Sequence, residues 1–357
     1  MKAITTIPPY APYLEDIVQH PIVEGLRLNT VMPIKEPLEE MLSRLKSIAG
    51  KKPIWLDLKC RQLRVSRGAY FNAPKEPTVI EVEGKKVVLD PSNPKAYGEL
   101  RTPPWSIVEL DHEIELDTTK PVKCYLNDGY QTAYIAKVDG NRLIMLDGPQ
   151  RIIGGGESIN ILDPSLRIKG YLTDNDKRYI EAAKKVGIHT YMLSYVEESK
   201  DISDLLKLDP NAKIVAKIES ERGLDFVKYD YPAIKNYVGL MAARGDLYVE
   251  VSRPHKILNA TRQIVRADSQ AISASRIFTS LRDSYMPSCT DISDIGFLRE
   301  IGYKHIMVGD DICFKKESLF SALNLLQAIN KDYVPDNYST QIPKITQLGK
   351  IKKIIGG

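Results

Sequence analysis

The chain has 357 residues, 43% of them hydrophobic and 27% charged, with a formal net charge of +4. That length can bury a large core, as one elaborated barrel or as two to three domains; the mild basicity, with no nucleic-acid-reading module, excludes a dedicated nucleic-acid partner. No apolar run reaches about 18 residues and the N-terminus (MKAITTIPPY) lacks a signal-peptide pattern, so a cytoplasmic protein with no membrane partner is expected. Cys60, Cys124, Cys289 and Cys313 form no CxxC pair and no zinc-ligand spacing, which reads as free thiols.

Short apolar runs occur at residues 4–7, 25–31, 53–58, 189–195, 213–218, 237–243, 271–279 and 305–308. Helical periods lie between them. In 37–49 the apolar positions are Leu38, Met41, Leu42, Leu45 and Ile48. Residues 174–186 follow Thr173, an N-cap type, and 318–330 repeat the helical spacing. Eight strands alternating with helices predict an α/β fold, a (β/α)8 TIM barrel.

From about residue 66 to 167 the helical period disappears. Strand-like pieces at 78–82, 86–89, 122–126, 133–138 and 142–146 replace it, with turn signals at Asn127-Asp128-Gly129 and Asp139-Gly140. An all-β domain inserted after the third barrel strand is the expectation. The predicted organisation is a barrel of residues 1–65 and 169–335, a β-barrel-like lid at 66–168 and a basic C-terminal tail at 336–357.

Barrel enzymes place their chemistry at the C-terminal ends of the strands. Read in order, those ends carry Arg27 and Asn29, Asp57 and Lys59, Ser194, Lys217 and Glu219, Arg244 and Asp246, Thr279, then Asp310 and Asp311. Period-two alternation puts Lys217 and Glu219 on one face. Two carboxylates with open positions suit Mg²⁺ or Mn²⁺, and the cations beside them suit an anionic substrate. His20, His112, His189, His255 and His305 are scattered and read as structural.

Those residues carry a resemblance. Residues 214–224 (IVAKIESERGL) are similar to the active-site signature of the pyruvate kinase family around its catalytic lysine, with Arg222 as the departure. Residues 240–250 (LMAARGDLYVE) resemble the metal-binding segment, 125–129 (YLNDG) a lid turn, 172–177 (LTDNDK) the return into the barrel, and 287–294 (PSCTDISD) fit by spacing. The resemblance runs from about residue 2 to residue 333. It implies a barrel of the phosphoenolpyruvate/pyruvate-binding type with an all-β lid, and a Mg²⁺-dependent phosphotransferase working through an enolate. It implies that Glu219 and Asp246 chelate the metal, Lys217 stabilises the phosphoryl group, Arg27 holds the phosphate and Thr279 helps deliver a proton. The Gly245 and Asp246 amides would receive the substrate carboxylate, with Arg244 and Ser194 at the substrate. A homo-oligomer is compatible with such a chain.

Three departures qualify that expectation. Of the family's monovalent-cation site only Asn29 and Asp57 remain, with Val31 and Leu58 in place of two hydroxyls and Gln62 in place of an acid, which counts against K⁺. Lysines near the lid's return are replaced by Gly156 and Glu157, which weakens the case for a nucleoside diphosphate and leaves Arg64 as the candidate nucleotide cation. A C-terminal regulatory domain is not expected, nor allostery through it. Two alternatives follow: a Mg²⁺-dependent 2-oxo acid lyase, aldolase or decarboxylase without nucleotide, and a non-catalytic relative, for which Tyr248 beside the metal segment gives a motive.

Overall fold

The computed structural model describes residues 1–67, 78–82, 85–89, 107–126, 129–147 and 153–333. The tail expected at 336–357, and Asn127 and Asp128 of the expected lid turn, lie outside them. The barrel strands are β1 (Lys2–Thr6), β2 (Val23–Asn29), β3 (Ile54–Leu58), β4 (Thr190–Leu193), β5 (Lys213–Ile218), β6 (Val238–Ala243), β7 (Ile272–Ala274) and β8 (His305–Val308). Each pairs in parallel with its sequence neighbour, and β8 closes onto β1. Among the described residues no helix is long and apolar enough to cross a membrane.

Alternation decides which side chains enter the barrel. Ile214, Ala216 and Ile218 of β5 join the large core beneath the helices, as do Leu26 and Leu28 of β2 and Leu56 and Leu58 of β3. Their neighbours therefore turn inward. At the middle of the barrel these are apolar: Ile4, Val215, Met241, Ile272 and Met307, with Trp55 against them. One step further along each strand, and just past its end, they are charged or polar: Arg27, Asp57 and Lys217, then Asn29, Lys59 and Glu219.

The lid contains an antiparallel sheet in the order Ile159–Ile161, Val122–Leu126, Gln131–Asp139, Arg142–Asp147, Ile107–Leu110, Val65–Arg67. A core of its own, including Val108, Cys124, Ile135, Leu143 and Ile159, holds it together. The tight turn between Gln131–Asp139 and Arg142–Asp147 uses Gly140 at φ +61°, conformational freedom that the Asp-Gly pair predicts. Thr–Val–Ile–Glu–Val and Lys–Lys–Val–Val–Leu, at Thr78–Val82 and Lys85–Leu89, pair antiparallel.

One strand differs from expectation. The apolar run at 271–279 yields a strand only over Ile272–Ala274. Ser275, Arg276 and Phe278 take φ of 65°, 54° and 56°, so the chain leaves the sheet in a left-handed turn and Thr279 opens a 3₁₀ helix, Thr279–Arg282. Cys60 after β3 (φ 47°) and Tyr195 after β4 (φ 49°) turn in the same way. These are all five non-glycine residues with positive φ among the described residues, and all follow C-terminal strand ends. Backbone strain of this kind concentrates where geometry serves function.

Candidate active site

Asp57 is the hub of the charged layer. Its side chain is 1% exposed. Oδ1 accepts from Lys217 Nζ at 3.0 Å; Oδ2 accepts from Lys59 Nζ at 2.9 Å and from Arg27 Nε at 3.0 Å, and Arg27 Nη2 donates to it as well. Three strands thus converge on one carboxylate. Burial alone would raise its pKa, but Lys217, Lys59 and Arg27 hold it well below the usual carboxylate range. Burial is also the main influence on Lys59, pushing it down to about 7 against the pull of Asp57, with Arg64, Arg27 and Lys217 adding to the depression.

Lys217 sits at the centre of the layer. Besides Asp57 it donates to Ser194 Oγ at 2.7 Å and lies 3.2 Å from Glu219 Oε1. Burial works against its charge, but Asp57 and Glu219 outweigh that and raise its pKa. Glu219 in turn accepts from the Tyr195 backbone N–H at 2.7 Å, the amide that the left-handed turn after β4 delivers. Burial pushes Glu219 up to about 7; Lys217 opposes the shift and Asp246 adds to it.

Asp246 lies in the helix Arg244–Glu250 that follows β6, and it is buried. Its Oδ2 accepts from Gln62 Nε2 at 2.8 Å and its Oδ1 from Asn160 Nδ2 at 3.0 Å. Asn160 belongs to the lid strand Ile159–Ile161, so the lid reaches the barrel at this carboxylate. The same amide nitrogen donates to the Tyr195 hydroxyl at 2.7 Å. A second lid contact is steric: a Cβ on Gly129, at φ +86°, would stand 2.9 Å from Val249 Cγ2, so only glycine fits this close approach.

Local devices set the strained turns. Thr173 caps the helix Asp174–Lys185 in a reciprocal box with Asp176. The Asp176 carboxylate also takes the backbone N–H groups of Lys59 and Cys60, both at 2.9 Å, and so pins the left-handed exit into the lid. The turn after β7 is tied by Arg244, which donates to the carbonyls of Ser275 (3.3 Å) and Arg276 (3.0 Å).

Several sequence expectations are relocated by this geometry. Arg244 does not face the substrate space: Asp294 holds its guanidinium through bonds of 2.8 and 2.7 Å, and the two carbonyls use further donors. Thr279 is not at the end of β7 but exposed, one turn further on. The hydroxyl at the strand end is Ser275, which the sequence reading missed; a Cβ on Gly245 would meet the Ser275 Cβ at 3.3 Å and its Oγ at 3.5 Å. Its signal was its place in the Ser-Arg pair of residues 271–279, four residues ahead of Thr279. Arg64 donates to Gln62 Oε1 and to the Gly156 carbonyl, and Arg61 to Asp201 and Glu197. Neither guanidinium is free to replace the lost charges. The histidines are structural at His189, paired with Asp209, and at His305, beside Glu24 and Gln270. All four cysteines are unpaired.

The donor set fits one implied ion and not the other. Glu219 and Asp246 are hard oxygen donors close enough for Asp246 to disfavour ionisation of Glu219, a repulsion that a divalent cation relieves. Among the described residues no group of three or more His, Cys, Asp or Glu could hold a metal, so water and substrate oxygens would have to complete the shell. A monovalent cation does not suit Asp57. Arg27, Lys59 and Lys217 already surround that carboxylate, and Val31 and Leu58 offer no side-chain oxygen.

Comparisons with known proteins agree with the architecture. A family model described as "Pyruvate kinase, barrel domain" matches residues 30–309. The pyruvate kinase of Borreliella burgdorferi is 25% identical over 318 residues, 87% of this chain and 62% of that protein. That of Thermoplasma acidophilum is 25% identical over 352 residues, covering 95% and 59%. That of Haemophilus influenzae is 28% identical over 271 residues, covering 71% and 53%. The chain therefore spans between 53% and 62% of the length of these relatives. The matched segment takes in Lys217, Glu219 and Asp246, and at more than half the chain it shows that this protein belongs to the pyruvate kinase family.

Proposed function

We propose that the chain is a Mg²⁺- or Mn²⁺-dependent phosphotransferase of the pyruvate kinase type, acting on phosphoenolpyruvate and pyruvate through an enolate. The observation that carries the reading is the buried set around the end of β5: Lys217 Nζ held 3.0 Å from Asp57, 2.7 Å from Ser194 and 3.2 Å from Glu219, with Asp246 close to Glu219. Phosphoryl transfer depends on positioning and charge stabilisation more than on covalent chemistry. A divalent cation at Glu219 and Asp246 would offset the negative charge that gathers on the reacting oxygens.

The chain's own residues do the rest. Asp57 and Ser194 fix the Lys217 ammonium, so its charge is directed without reorganisation as the phosphoryl group passes. Arg27 anchors the phosphate end, and the Gly245 and Asp246 amides receive the carboxylate. Ser275, against Gly245, is the hydroxyl placed to pass a proton to the enolate carbon through water, in preference to Thr279. A coupled assay with phosphoenolpyruvate, Mg²⁺ and each nucleoside diphosphate tests the reading. Pyruvate formation no higher than in a Lys217→Met control removes it.

A second reading has one observation in its favour. Arg64 spends its guanidinium on Gln62 and Gly156, next to the positions where the family's nucleotide lysines are missing. This supports enolate chemistry on a 2-oxo acid without a nucleotide. Metal-dependent exchange of the pyruvate methyl protons, unaffected by any nucleotide, separates the two. The donor set favours Mg²⁺ or Mn²⁺ without K⁺, and a small 2-oxo acid or phosphoenolpyruvate as partner.

A further inference from the structure

Arg27 carries two carboxylates of different character. Asp57 is locked, 1% exposed and shared among three cations. Asp310 is not: its side chain is 29% exposed, and it begins the four-residue helix Asp310–Cys313 just past β8. Both its oxygens are nevertheless used. Oδ1 accepts from Arg27 Nη1 at 2.7 Å, and Oδ2 accepts from Asn29 Nδ2 at 2.8 Å. A carboxylate bridging a guanidinium and an amide in this way has the bonding pattern of a bound anion. It stands at a cavity of about 230 Å³ that is also lined by Arg27, Ser275, Arg276, Thr279 and Arg282.

We propose that Asp310 is the specificity-determining residue of the Arg27 subsite, an internal anion that a phosphate group must displace in order to bind. The inference rests on Arg27 being the substrate's anion anchor and adds the chain's own competitor for it. Asp57 cannot move away from Arg27 without also abandoning Lys59 and Lys217. Asp310 can leave by rotating toward solvent. When it does, Arg27 Nη1 and the Asn29 amide open to a cavity whose wall holds Arg276 and Arg282, the latter 4.0 Å from Asp311. The subsite then discriminates against weakly charged ligands, since only a dianion outbids the resident carboxylate. Asp310 touches the anchor rather than the reacting atoms.

Calorimetric titration with inorganic phosphate tests this on the full chain. Asp310→Asn and Asp310→Ser should each bind phosphate about ten- to a hundredfold tighter than wild type, the worth of one charge-assisted hydrogen bond no longer broken on entry. Arg27→Met in the Asp310→Asn background should cancel the gain. In the wild type, saturating phosphate should speed hydrogen–deuterium exchange across Asp310–Cys313, a readout that needs no variant. Unchanged or weaker phosphate binding in both variants overturns the proposal, as does exchange that phosphate leaves untouched. The outcome is separable from the reaction: tighter phosphate binding in a protein that forms no pyruvate upholds the subsite and removes the kinase reading. An active enzyme with unchanged phosphate affinity does the reverse.

Discussion

The two sides of the cleft have been built on opposite principles. At the ends of β5 and β6 the charges are left unequal: Lys217 serves both Asp57 and Glu219, and Glu219 is crowded by Asp246. At the lid hinge the groups satisfy one another: Arg64 donates to Gln62 and Gly156, and Gln62 donates to Asp246. An unequal charge set gains from a cation or an anion arriving from outside. A guanidinium already satisfied within the chain loses bonds to admit a ligand, and Asp246, where the two sides meet, is the carboxylate both share. The side that matches the family motif leaves charge unbalanced, and the side that departs from it spends its guanidinium on contacts within the chain.

The largest effect expected from breaking this contrast is at Lys217. Lys217→Met should lower kcat by about 10²- to 10³-fold, the cost of one preorganised charge donor, in steady-state assays that leave KM nearly unchanged. A loss confined to KM would show that Lys217 only binds. Next is Asp57→Asn, which leaves Lys59 without its carboxylate and Lys217 and Arg27 with one each, Glu219 and Asp310; it should cost about 3–5 kcal/mol in urea unfolding. A smaller loss would mean that the three ammonium and guanidinium groups find water instead.

Ser275→Ala should slow methyl-proton exchange of pyruvate by about a hundredfold, whereas Thr279→Ala, on an exposed 3₁₀ turn, should stay within about twofold. Equal effects would return the proton relay to the distal hydroxyl. A pH effect follows at Lys59. Its folded pKa is depressed to about 7 from 10.5, so between those values the unfolded chain binds more protons and stability rises with pH. Melts at pH 7, 8 and 9 should show that rise, and Lys59→Met should flatten it. The smallest change is expected at Arg64. Since its guanidinium is already spent, Arg64→Met should alter nucleoside diphosphate affinity by less than about twofold. A tenfold loss would restore a nucleotide role to the hinge.

Much of the site was legible because the strands are short and regular. Lys217 and Glu219 share a face by period two, and Thr173 announced the helix that returns the chain to the barrel. Illegible were the points where a side chain's partner lies far along the chain. Arg244 sits in an apolar-to-charged transition like that of Lys217, yet Asp294, fifty residues on, claims it. Thr279 reads as a strand end because Ile277 and Phe278 precede it, while the left-handed turn at Ser275 and Arg276 depends on carbonyls that Arg244 holds.

By itself the sequence determined the alternation of strands and helices, the all-β insertion, and which residues of β2, β3 and β5 point into the barrel. Each of these follows from local periodicity and turn chemistry. Only the tertiary structure decided who pairs with whom. Asp57 gathers cations from three strands, Asn160 crosses from the lid to Asp246, and Asp310 reaches Arg27 across 283 positions. Those contacts exist because closing the sheet brings β8 next to β1 and so one strand away from β2, and a charge buried there must take whichever partner the closed barrel puts within reach.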